Sequence, residues 1–125
     1  MKFDWSEYVN LAQELAGQSG RLASDEAKLR TAVSRAYYAL HCKVRNYIHD
    51  VERLPIPSTG EAHQFIIDMF ERSPDKRRRK IGQTLKRLRI DRIKADYHDV
   101  VTGLPSMAAL ALKLAQQAIS TLSTL

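Results

Sequence analysis

Eleven of the twenty Lys and Arg residues fall between positions 72 and 94: Arg72, Lys76, Arg77, Arg78, Arg79, Lys80, Lys86, Arg87, Arg89, Arg92 and Lys94. Only Asp75 and Asp91 oppose them there, so the segment carries +9 while the rest of the chain sums to −3. Such a cluster is suited to holding a polyanion, because each cation near a phosphate releases a condensed counterion. Arg77, Arg78, Arg79, Lys80, Lys86, Arg87 and Arg89 are the candidate nucleic-acid contacts. A solvated helix face has the same composition, and charge alone leaves both readings open. A membrane surface is a poorer match, since the stretch has few large apolar residues and no Trp or Phe at its boundary.

Other chemistry-bearing residues are sparse. Cys42 is the single cysteine, so no disulfide can form within the chain, and a zinc finger is excluded. It lacks a clear base and orienter, and packing is the role expected of it. Tyr38, His41, Arg45 and His49 recur at helical spacing and form one polar seam, suited to a dimer groove or to wet surface. His63 lies near a predicted helix start, where a structural hydrogen bond is the expected role. No metal or cofactor is expected.

The elements that must position these residues are helical. With 125 residues, four prolines and five glycines, the chain fits one domain spanning 1–125, with too few turn formers for a sandwich or barrel. A first helix is predicted from Asp4, with Glu7 completing a capping box and Trp5, Tyr8, Val9, Ala12, Leu15 and Ala16 as its apolar stripe. Gly17 and Gly20 stop it. Ser24 and Asp25 cap a long second helix whose stripe is Leu29, Val33, Ala36, Leu40, Val44, Tyr47 and Val51. The Leu-Pro-Ile-Pro run at 54–57 ends it. A third helix follows Gly60, and a fourth, basic one restarts after Pro74 with Ile81, Leu85 and Leu88 inward. A last helix opens at Ser106 with Met107, Leu110, Ala111, Leu114, Ala118 and Leu122 on one face. No segment alternates as a strand would. The predicted class is therefore all-α, an up-and-down bundle of four to five helices. The longest apolar run, 107–112, has six residues, far short of a membrane span, and no signal pattern opens the chain; a cytoplasmic protein is expected.

Two stretches carry a family resemblance. Ser34-Arg35-Ala36-Tyr37-Tyr38-Ala39-Leu40-His41 lies in the second helix, and Leu88-Arg89-Ile90-Asp91-Arg92-Ile93-Lys94-Ala95-Asp96-Tyr97 precedes the last one. Together they resemble the HEPN superfamily (higher eukaryotes and prokaryotes nucleotide-binding domain), in its branch with an S-R-A-Y-Y-A helix followed by R-x-x-A-D-Y. His63 also fits that branch's third helix, and the likeness covers roughly residues 24–122. It implies a helical bundle, often a two-fold dimer. Many members resemble metal-independent ribonucleases, several acting as toxins or in phage defence beside an antitoxin or nucleotidyltransferase partner; others have lost catalysis.

The family's active signature is an Arg, four to six residues, then a His, which Arg92 and His98 satisfy. In that reading His98 exchanges protons with a ribose 2′-OH or the leaving oxygen, and Arg92 forks onto the scissile phosphate. Asp96, Tyr97 and Arg35 are the supporting residues, with RNA as substrate and a homodimer supplying a composite site. On an unbroken helix six residues turn about 600°, so Arg92 and His98 would stand about 120° apart and converge only across a bend. The inert alternative pairs Arg92 with Asp96 at i,i+4 and packs Tyr97 in the core. Arg35-x5-His41 repeats the spacing in mid-helix; there Arg35 is expected to bond a carboxylate, Asp96. The functional expectation is thus an RNA-binding protein that cleaves RNA without metal, with a non-catalytic nucleic-acid, nucleotide or interaction module as the alternative.

Overall fold

The computed structural model describes residues 2–18 and 22–125. Five helices follow in order: α1 (Glu7–Leu15), α2 (Asp25–Asp50), α3 (Glu61–Glu71), α4 (Lys76–Tyr97) and α5 (Leu104–Leu122). There is no strand among the described residues, and the helices pack as an up-and-down bundle. Among the described residues, no helix is long and apolar enough to cross a membrane.

The helix boundaries follow local chemistry. The Ser24 hydroxyl accepts from the Ala27 N–H at 3.2 Å and caps α2, with Asp25 and Glu26 at its positive end. Asp75 caps α4 by accepting from the Arg77 N–H at 2.8 Å. Gly103, at φ 69°, takes the left-handed turn that launches α5, and Pro105 fills a first-turn position where no N–H is needed. α5 therefore begins at Leu104, two residues before the expected Ser106. At the front, Asp4 spends its carboxylate on the Ser6 N–H and hydroxyl, so α1 starts only at Glu7 and no capping box forms. Gly17, at φ 73°, follows the end of α1; Gly20 lies outside the described residues.

α2 is the central element and touches all four others, and α4 also packs on α3 and α5. Its buried face is correspondingly wider than one stripe: Ala27, Arg30, Val33, Ser34, Ala36, Tyr37, Leu40, His41, Val44 and Ile48. Val51, assigned to that stripe, is exposed past the last turn. α5 turns an alanine seam inward (Ala108, Ala111, Ala115, Ala118) between Leu104 and Leu122, while Leu110 stays exposed. Small residues there let two backbones approach closely. Gly82 serves the same purpose between α4 and α3: an added Cβ would lie 2.7 Å from the Glu71 backbone nitrogen.

α1 covers a separate small cluster of Phe3, Leu11, Ala23 and Ala27, flanked by Trp5 and Tyr8. Leu11 is its one buried residue, whereas Val9 and Leu15 from the expected stripe are exposed. Beneath the cluster lies Arg30, completely buried. Its Nη1 donates to the carbonyls of Ala95 (3.0 Å) and His98 (2.6 Å), and its Nη2 donates to Asp99 O (3.2 Å) and Glu26 Oε1 (3.2 Å). Phe3 and Trp5 cover the guanidinium at 4.3 and 5.0 Å from their ring centroids. A helix end leaves carbonyls without partners, and here one arginine collects them.

Candidate functional site

The sequence candidates separate in space. α4 stays helical through Tyr97, and His98 is its extended C-cap at φ −84°, ψ 130°. No bend brings Arg92 to His98. Arg92 turns inward and is only 8 % exposed, whereas His98 is exposed, its backbone carbonyl held by Arg30. Arg92 does form the i,i+4 pair with Asp96, through a long 3.5 Å contact. Tyr97, placed in the core by the inert reading, is instead 70 % exposed at the last residue of α4. Arg35 does not reach Asp96: it is exposed, lies over the Tyr38 ring at 5.0 Å and approaches the Ser34 hydroxyl at 3.5 Å. Asp96 accepts from Ser34 instead, at 3.2 Å.

What gathers around Arg92 is a cluster that spacing could not reveal. Tyr37, Tyr38 and His41 come from α2, His63 and Gln64 from α3, and Arg89 and Arg92 from α4. The His41 and His63 rings stack with centroids 4.4 Å apart and planes at 20°. The Tyr37 hydroxyl hydrogen-bonds His63 Nδ1 and lies 3.5 Å from His41 Nδ1. It has one proton, so it donates to one ring nitrogen while the other ring donates to it. The Arg92 guanidinium lies 5.4 Å from the Tyr37 ring centroid and 5.3 Å from that of Tyr38. Arg89 Nη1 donates to Gln64 Oε1 at 3.1 Å. The Nε atoms of both arginines are buried without a hydrogen-bond partner.

This environment disfavours the protonated form of both histidines. Burial first, then the charges of His63, Arg45, Arg89 and Arg92, push His41 down to about 4. Burial, then Arg89 and Arg92, also lower His63. Burial pushes the Tyr37 hydroxyl up to about 12 against the pull of Arg89 and Arg92. The expected hydrogen-bonding role of His63 is present, but His41 is only 6 % exposed, so the surface seam from Tyr38 to His49 is broken at its second member.

A pH dependence of stability follows. His41 is protonated more readily in the unfolded chain than in the fold, so its contribution is full above about 6.5 and declines as pH falls towards 4. Between pH 6.5 and 5, above the titration of unfolded carboxylates, the loss is expected to be about 2 kcal/mol. Urea denaturation at the two pH values measures it, and His41→Gln is expected to flatten most of the slope.

The basic helix divides its cations between structure and surface. Arg78 pairs with Glu52, lies 4.5 Å over the Phe70 ring and keeps only 19 % of its side chain exposed, which removes it from the candidate interface. Arg77 pairs with Asp75 at 3.1 Å and donates to Thr124 O at 2.9 Å; Arg79 donates to the carbonyls of Ser73 and Pro74. Arg87 pairs with Asp91 at 3.1 Å. Lys76, Lys80, Lys86 and Lys94 are exposed, with no carboxylate partner among the described residues. Among the described residues, no three His, Cys, Asp or Glu side chains are grouped so as to hold a metal ion. Comparison of the chain with protein-family models, curated proteins and solved structures finds no match in any of the three.

Proposed function

We propose that the chain is an RNA-binding helical bundle of the HEPN kind, which lays the outer face of α4 along a phosphate backbone. The supporting observation is the row Lys76, Lys80, Lys86 and Lys94 on one exposed face, with no carboxylate partner among the described residues. At 1.5 Å per residue that row runs for about 27 Å. Ile90, Ile93 and Tyr97 are exposed on the same face, and Tyr97 at its end offers a ring on which a base can stack. Fluorescence anisotropy with a short single-stranded RNA tests the reading. With roughly five phosphates engaged, affinity should fall on the order of a hundredfold between 50 and 200 mM salt. A flat salt titration would refute it.

Metal-independent cleavage is the second reading, favoured by His98 standing exposed at the end of that face with its backbone tied to Arg30. Its imidazole is free to exchange a proton with a 2′-OH. Arg92 is turned inward in this fold, so the reading rests on His98, and an Arg92–His98 site shared across a homodimer would need Arg92 to leave its place beside Asp96. RNA cut in EDTA, with cutting lost and binding retained in His98→Ala, is the result this reading requires. RNA that stays whole leaves a binding module, with an antitoxin or nucleotidyltransferase partner no longer needed to restrain it.

A further inference from the structure

We propose that the groove between α4 and α5 is a base-binding subsite, which holds one unstacked base of a single strand whose phosphates lie on Lys76 and Lys80. This rests on the RNA-binding reading of α4 and adds to it the place where a base enters the protein. Two adjoining cavities make up the groove. The first, about 460 Å³, has Ile81, Leu114 and Ala118 as its apolar floor. The second, about 490 Å³, continues past Thr124 towards Lys76 and Arg77. Lys80, Ser120 and Thr121 line both, so the two form one trough. Each cavity falls within the range of about 300–1,000 Å³ usual for small-ligand sites.

The two walls differ in chemistry. Lys76, Arg77 and Lys80 stand along the α4 side, and no carboxylate lines either cavity. Arg77 is answered by Asp75, whereas Lys76 and Lys80 have no carboxylate partner among the described residues. A trough lined by cations of one sign draws an anionic occupant. The α5 side is neutral, since Lys113 is the one charged residue of that helix. It offers the Gln117 amide and the hydroxyls of Ser120 and Thr121. The Thr121 hydroxyl gives its proton to the Gln117 carbonyl at 3.0 Å and keeps its lone pairs for an incoming donor.

These features together select the occupant. An inorganic anion uses the cations and leaves the apolar floor bare; an aliphatic group covers the floor and leaves the amide and hydroxyls idle. A base joined to a phosphate uses all three. Its face packs on the aliphatic floor, its edge meets the Gln117 amide, which both donates and accepts, and its phosphate reaches Lys80. Recognition of single-stranded RNA is built in this way, on bases splayed out of the stack. Lys76 and Lys80 belong both to the groove and to the row along α4, so a strand following that row passes the mouth of the groove. That continuity favours a strand over a free nucleotide.

The test compares, by fluorescence anisotropy, a short single-stranded RNA with a ribose-phosphate strand of equal length and charge that lacks bases. It is run in Tyr97→Ala, which removes the exposed ring at the end of α4 as another place for a base. The RNA is expected to bind about tenfold more tightly, the gain from seating one base. Ser120→Trp fills the groove from an exposed rim position and leaves its charge intact. It should bring the RNA down to the affinity of the abasic strand, whose own binding stays unchanged. NMR gives a second reading without that substitution: the Thr84 and Thr121 methyl and Gln117 side-chain amide resonances should shift with RNA and stay in place with the abasic strand. Equal binding of the two strands, or a gain that survives Ser120→Trp, overturns the subsite and leaves the lysine row standing. Binding of neither strand overturns both. 5′-AMP titrated alone should bind more weakly than the RNA, and the reverse order would overturn the assignment to a strand.

Discussion

Replacing Arg30 with methionine is expected to lower the stability of the fold by about 3–5 kcal/mol, the usual cost of removing one member of a buried hydrogen-bonded charge network. Methionine fills most of the volume, so the loss reports the hydrogen bonds together with the contacts of the charge to the Phe3 and Trp5 rings. The carbonyls of Ala95, His98 and Asp99 would each lose a donor at the end of α4. Glu26 is half-exposed and can return to water, so its share of the loss is small. Urea denaturation gives the value, and a change below about 1 kcal/mol would show that water replaces the guanidinium at no cost. Trp5 should report the same event, since its ring covers Arg30 and its indole N–H donates to Asp99 at 2.9 Å.

Changing Lys76, Lys80, Lys86 and Lys94 together to glutamine is expected to weaken RNA binding by a few hundredfold near 0.1 M salt. Each phosphate contact to a single strand carries about 0.7 of a released counterion, so four contacts also remove about three units from the salt slope. Stability should change little, because these side chains are exposed and unpaired by any described carboxylate. Arg78→Gln provides the contrast from the same helix. It should leave RNA affinity nearly intact while destabilising the bundle, because Arg78 is engaged by Glu52 and Phe70. Equal losses of affinity in the two variants would mean that charge density, and not the outward row, governs the contact.

The difference between Arg78 and the lysines shows what a linear reading can carry. Helix starts were legible where capping and proline chemistry are local, as at Ser24 and after Pro74. Which side of a helix is buried depends on its neighbours. α2 has partners on several sides, so His41 goes inward with Tyr37 although a single stripe would leave it outside. Tyr37 and His63 meet across 26 positions and two helices, and no spacing rule connects them. Arg30 escaped notice for a related reason: an arginine reads as surface until three stray carbonyls are seen converging on it. Leu11, and not Val9 or Leu15, is buried in α1 because the small cluster it faces is built from Phe3 and the start of α2.

The covering of Arg30 also sets an order of events. Phe3 donates its backbone N–H to Asp99 O at 2.7 Å and places its ring on a guanidinium already tied to the end of α4. That landing surface exists only after α2 and α4 have come together, so residues 2–15 are expected to dock after the main folding barrier. Contacts formed after a barrier change the rate of unfolding and leave the rate of folding nearly untouched. Weakening Phe3 or Trp5 is therefore expected to shorten the lifetime of the folded bundle without slowing its formation, as stopped-flow folding and unfolding rates would show.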